Sequence, residues 1–147
     1  MTLQELYNTD FNSWIQQHIF LLKAGRLSEI DNMHLIEELE DMGKSDTREL
    51  KSRLTTLITH LLKWQFQPQQ RSTSWKSSII EQRIQLSFLL DDSPSLKRTI
   101  DDAVVKIYSK AREWAIEETG LKSTIFPKDC PYSIEQLFDK NFYPLPI

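Results

Sequence analysis

The sequence predicts an all-α protein: a helical bundle of four main helices, a short C-terminal helix, and an irregular tail rich in proline and aromatic residues. Three observations carry that prediction. Apolar residues recur by threes and fours through most of the 147 residues, only three glycines and six prolines are available for loops and sheet corners, and no stretch alternates as a half-buried strand would. A chain of this length normally makes one domain around a continuous core, so residues 1–147 are read as a single helical domain.

The first helix is expected from about Asp10 to Ala24, with Phe11, Trp14, Ile15, Ile19 and Leu22 on its apolar face and Gly25 as a left-handed stop. A second pattern starts at Asp31 and steps through Leu35, Leu39, Met42, Leu50, Leu54, Leu57, Leu61 and Trp64 until Pro68 ends it. This is one long helix or two. Gly43 followed by Ser45 would allow a break, but the stripe keeps its phase across Gly43, which favours continuity. Ser72 or Ser74 caps a third helix through Asp91, buried along Trp75, Ile79, Ile80, Leu86 and Leu90. Ser93 as N-cap and Pro94 at the first helical position begin a fourth, carrying Leu96, Ile100, Val104, Ile107, Tyr108, Ala111, Trp114 and Ala115 up to Gly120. Ser133 and Gln136 stand at capping-box spacing before the short last helix.

Composition narrows the function classes. A formal charge of −3 argues against broad electrostatic attraction to nucleic acid or anionic membrane. A single cysteine, Cys130, allows neither an intrachain disulfide nor a thiolate metal cage, and fits a reducing compartment. The opening MTLQELYNTDF has no signal-peptide pattern and no apolar run is long enough to span a bilayer, so a cytoplasmic protein is expected.

Several charged residues fall on the apolar stripes, where they must be paired or pay for lost hydration. On the second helix Asp46, Arg53 and His60 share the seam of Leu39 and Trp64, with Glu38 and Asp41 nearby; Arg83 lies between Ile79 and Leu86, Glu118 follows Trp114, and His18 lies on the first helix. If they converge, Arg53 and Arg83 can bond Glu38, Asp46 or Glu118 in a polar layer. The predicted cleft or network is thus Glu38, Asp41, Asp46, Arg53, His60, Trp64, Arg71, Trp75, Arg83 and Glu118. It serves either to fix helix register or to receive a ligand between helices. His60→Ala is expected to cost about 1 to 3 kcal/mol through lost packing and an unpaired polar neighbour.

No cofactor and no metal is assigned. The nearest approach to a metal site is HLIEELED, where His34, Glu37, Glu38 and Asp41 have chelate spacing and His60 is a further ligand candidate. Di-metal bundles, however, repeat a Glu-x-x-His unit on two helices, whereas here the order is reversed, occurs once, and Glu37 falls on the outer face. No GxSxG elbow or phosphate-cradling glycine loop occurs and no histidine is near Cys130 in sequence, so the reading leans away from an enzyme and names no catalytic residue.

Residues 50–80 hold Lys51, Arg53, Lys63, Arg71 and Lys76 and no acid, whereas residues 28–49 hold eight acids and two basic residues. Cations interleaved with Trp64, Phe66 and Trp75 would suit a single-strand binder. Helical phase instead places both tryptophans inward, and the two zones can neutralise each other within a bundle.

The segments YNTDFNSWIQQHIFLLKAGRLSEIDNMHLIEELEDMGKSDTRELKSRL, HLLKWQFQPQQRSTSW, IIEQR, DSPSL and EETGL followed by FPKDCPYSIEQLFD together resemble the bacterial, largely cyanobacterial, family numbered twenty-nine among domains of unknown function. The resemblance spans nearly the whole chain and implies a compact helical protein with no assigned activity. Its characteristic positions include Asp10, Trp14, Gly25, Leu35, Glu37, Glu38, Asp41, His60, Trp64, Arg71, Trp75 and Arg83; His18 departs from the family pattern. The expected function is an interaction module that binds a protein or small molecule in an interhelical polar-aromatic cleft. The alternative is a metal-dependent or nucleic-acid-acting protein using the acidic helix and His60 with Arg71, Lys76 and Arg83. A homodimer is admitted, whereas nucleic acid and membrane are not expected partners.

Overall fold

A computed structural model describes residues 1–147 and contains helices and turns without strands. The chain forms two compact units, Met1–Ser45 and Asp46–Ile147.

In the first unit, α1 (Leu3–Thr9) is an element the periodicity did not announce. Its signal is a capping box: the Thr2 hydroxyl accepts from the Glu5 N–H while the Glu5 carboxylate accepts from the Thr2 N–H. Asp10 then caps α2 (Phe11–Lys23) by accepting from the Ser13 N–H. Gly25, at φ 71°, turns the chain where an L side chain would be strained, and the Arg26 N–H returns to the Leu21 carbonyl. The buried line of α2 is Trp14, His18 and Leu21, while Phe11, Ile19 and Leu22 are exposed, so the expected apolar face is rotated by about one residue. A 3₁₀ turn at Leu27–Glu29 leads to Asp31, which opens α3.

α3 (Asn32–Phe66) runs 35 residues without a break at Gly43. Its second half supplies the centre of the second unit through Leu50, Leu54, Leu57, Ile58, Leu61 and Leu62, all fully buried. Pro68 opens a 3₁₀ turn (Pro68–Gln70) and Ser72 caps α4 (Thr73–Asp92), accepting from the Trp75 N–H. α4 contributes Ile79, Leu86 and Leu90 to the core; Ile80, expected inside, is exposed.

The expected helix at Pro94 begins as a 3₁₀ segment (Pro94–Thr99), and α5 (Ile100–Thr119) follows. Ser93 does not cap it with its side chain, because its hydroxyl donates instead to the Asp46 carboxylate at 3.1 Å. The first turn tightens accordingly, with the Leu96 N–H bonding the Ser93 carbonyl. α5 buries Ile100, Ala103, Val104, Ile107, Tyr108, Ala111 and Ala115, with Trp114 exposed against expectation, and ends at Gly120 with φ 70°. α6 (Ile134–Phe138) opens with the anticipated Ser133–Gln136 capping box. Phe126, Tyr132 and Leu137 place the tail against the same core, and no helix is long and apolar enough to cross a membrane.

Candidate functional site

Each unit contains a polar cluster, and they have separate logic. In the first, Asp31 is buried as the N-cap of α3. Its Oδ1 accepts from the His34 backbone N–H at 3.4 Å, and its Oδ2 accepts from the Trp14 indole at 3.2 Å and from His34 Nδ1 at 2.6 Å. The Asp31 N–H donates to His18 Nε2 at 2.9 Å, which assigns the His18 proton to Nδ1, facing the Trp14 carbonyl at 2.8 Å. Tyr7 stacks on His34 with ring centroids 3.9 Å apart and donates to the Glu38 carboxylate at 2.5 Å. That bond, together with the acids Glu37, Glu38 and Asp41, pushes the Tyr7 phenol up to about 12, since the phenolate would lose the bond and be repelled. Burial opposes ionisation of Asp31, but the bonds from the His34 ring, the Trp14 indole and the His34 N–H outweigh it and hold the carboxyl below its ordinary value.

An aspartate that orients an imidazole is also found behind metal ligands and general bases. Here Asp31 takes His34 Nδ1, Tyr7 takes Glu38, and Glu37 and Asp41 are exposed. His60 lies in the second unit with its Nδ1 toward the Thr56 carbonyl at 2.8 Å. No group of three or more His, Cys, Asp or Glu side chains is placed to hold a metal ion.

In the second unit the charged residues find individual partners instead of the polar layer expected of them. Buried Arg83 donates from Nε to the Leu137 carbonyl at 2.8 Å, from Nη1 to Phe142 at 2.9 Å and from Nη2 to Gln136 at 3.0 Å. The planar fork thus clasps the end of α6 to the following tail. Loss of hydration pulls its guanidinium below the ordinary value, slightly countered by Tyr143 and Asp139. Lys63, also buried, donates to Glu118 at 2.5 Å and lies 4.7 Å from the Trp75 ring centroid. Arg53 bonds Gln82 at 3.3 Å and pairs with Glu49 at 3.6 Å, while Asp46 receives the Ser93 hydroxyl.

The corner between α3 and α4 is the most aromatic part of this set. Arg71 donates from Nε to the Trp64 carbonyl at 2.9 Å and places its guanidinium 4.7 Å from the Trp64 ring centroid; Trp64 in turn packs on Tyr143 at 5.1 Å. Its Nη2 is buried without a hydrogen-bond partner. Lys76 lies 5.8 Å from the Tyr143 centroid. The basic, aromatic stretch is therefore a joint between helices in which cations lie on rings.

The helical wheel identified Arg53, Arg83 and Glu118 as groups needing partners, but the partners it offered the two arginines, Glu38, Asp46 or Glu118, are not the ones they take: Arg53 goes to Gln82 and Glu49, and Arg83 to main-chain carbonyls. Arg83 and Lys63 pair across 53 to 59 residues and 55 residues of sequence, respectively, beyond the reach of any local pattern. Asp31 was read only as a helix start, although the Asp-x-x-His spacing at Asp31–His34 is an N-cap signal that could have found the pair. Cys130 packs, partly buried, against the core: burial pushes its thiol up, leaving it protonated and poorly nucleophilic beside a cavity of about 700 Å³ that Tyr108 and Tyr132 also line. His60 bonds only its own helix, whose Thr56 carbonyl keeps its main-chain donor, so His60→Ala should cost no more than about 1 kcal/mol by urea unfolding.

No curated protein and no solved structure matches the chain. The family model for DUF29, a domain of unknown function, matches residues 6–143. The chain belongs to the DUF29 family.

Proposed function

We propose that this protein is an interaction module that docks a protein partner on the amino-terminal half of α3. The observation that carries the reading is the exposure of four large apolar side chains along that half: Met33 at 81%, Ile36 at 56%, Leu39 at 59% and Met42 at 65%. Single exposed apolar residues are ordinary, whereas four within ten residues of one helix, between acidic neighbours, form the kind of surface that a partner covers. The polar groups offer less to a ligand, because Arg83, Lys63, Glu118 and Asp31 are engaged within their own units. A photoreactive residue at position 39 is expected to crosslink a specific partner in the native lysate, and one at 105, on α5 and more exposed still, is expected not to. Equal labelling from both positions would contradict the reading.

One observation favours a second reading. The buried, unpartnered Nη2 of Arg71 has hydrogen-bonding capacity for an anionic group at the α3–α4 corner. Titration with inorganic phosphate, followed by tryptophan emission, tests it: a saturable change lost in Arg71→Gln supports anion binding there, and no change counts against it.

A further inference from the structure

We infer that the cavity between α4 and the end of α6 is a binding site for a small molecule with an apolar body and a single carboxylate. It lies within the second unit and is independent of the docking role proposed above. The pattern of α4 is the starting point. Ile79, Leu86 and Leu90 supply the line that α4 buries in the core, yet Ile80, Ile84 and Phe88 form a second apolar line, and all three are exposed. Steps of four residues keep those three on one face. A helix needs only one apolar stripe to dock, so the second line has no part in holding α4 in place. Ile80 and Ile84, with Phe138 of α6, wall a cavity of about 380 Å³. That is near the small end of the range for small-molecule sites, with room for roughly a dozen water-sized groups at about 30 Å³ each.

The rest of the lining is Arg83, Lys140 and Ser87, two cations and a hydroxyl with no acid among them. Arg83 sets the charge of the ligand. Its guanidinium is buried, and its three hydrogen bonds end on neutral main-chain carbonyls, which hold it in place without cancelling its charge. A buried cation without a counter-ion is costly, and an anion brought beside it recovers part of that cost. Asp139, the acid whose field reaches Arg83, is exposed and accepts from the Asn141 N–H instead. A guanidinium has five N–H groups, so the three bonds leave two for an incoming oxygen. Exposed Lys140 adds a second positive charge, and apolar walls strengthen the field that both produce. A phosphate dianion would surrender more hydration than this mostly apolar cavity can replace. One carboxylate suits the planar guanidinium and leaves the body of the molecule to Ile80, Ile84 and Phe138.

Methyl NMR of the full chain, titrated with octanoate, tests the inference. The Ile80 and Ile84 methyl signals are expected to shift saturably, while that of Ile79, buried in the core on the other side of the helix, stays in place. Octanol, with the same chain length and no charge, is expected to bind about tenfold more weakly or worse, because it cannot pair with the guanidinium. Acetate, which has the charge without the chain, is expected to shift neither signal at the same concentrations. Lys140→Glu should weaken octanoate by about fivefold or more. Ile84→Glu sets an acid in the wall and should abolish the shift at Ile80. Both substituted positions are exposed, and the core methyl signals of each variant verify that it is folded. The absence of a saturable shift at Ile80 and Ile84 overturns the inference, as does one that spreads to Ile79. Octanol or acetate binding as tightly as octanoate overturns it too, and so does a Lys140→Glu chain that binds like the wild type. None of these results bears on the α3 face, which the crosslinking tests separately.

Discussion

Arg83→Met is expected to lower the stability of the second unit by about 3 kcal/mol or more and to free the tail from Ile134 onward. Arg83 is the one buried guanidinium in the core, and its three donors meet three main-chain carbonyls, Gln136, Leu137 and Phe142, with no carboxylate among its hydrogen-bond acceptors. A hydrogen bond from a charged donor contributes about 1.5–3 kcal/mol, and removing it strands the carbonyls it served. Part of that loss is recovered if the tail lifts away and its carbonyls are hydrated, so the full sum of three bonds is not expected. Lysine keeps the charge but cannot fork to three acceptors, so Arg83→Lys should fall between wild type and Met. Urea unfolding reads the magnitude, and hydrogen exchange over residues 134–143 reads the location. An Arg83→Met protein with a wild-type midpoint would show that the clasp contributes little.

The second large effect concerns the first unit. Asp31→Ala removes at once the N-cap of α3, the acceptor for the Trp14 indole, and the partner of His34 Nδ1, and is expected to cost about 2–3 kcal/mol. Asp31→Asn retains one side-chain oxygen and should lose less. Faster exchange of the Trp14 indole proton would locate the damage, and unchanged exchange would contradict this role. The same carboxylate gives the unit an acid dependence. Its folded value is depressed below the ordinary 3.8, so its stabilising contribution is complete above about pH 4 and is lost as the pH falls through the lower folded value. In Asp31→Asn that part of the acid transition should disappear.

Local signals made most of the fold legible before any coordinates. Caps at Ser72 and Ser133, stops at Gly25 and Gly120, and the heptad-like run from Leu50 to Leu61 are properties of short segments, and they form where expected. The failures have nonlocal causes. Ser93 was expected to cap a helix, yet its hydroxyl is taken by Asp46, 47 positions away in sequence. Leu39 and Met42 fit the apolar period as well as Leu50 does, but periodicity identifies a face and cannot say whether anything lies against it. Arg83 was correctly seen as a cation on an apolar stripe. That its partners would be carbonyls of the tail, and not the acids of other helices, depends on how the final twelve residues return to α4.

Methionine oxidation tests most directly whether the α3 face is covered when the protein is at work. Met42 is 65% exposed on that face, and Met1, 83% exposed at the chain start, serves as an internal reference. Both should react with peroxide at similar rates in dilute protein. In lysate, Met42 is expected to become protected while Met1 remains reactive, and Leu39→Asp should abolish that protection. A Met42 rate that tracks Met1 under every condition would contradict a docking role for this face.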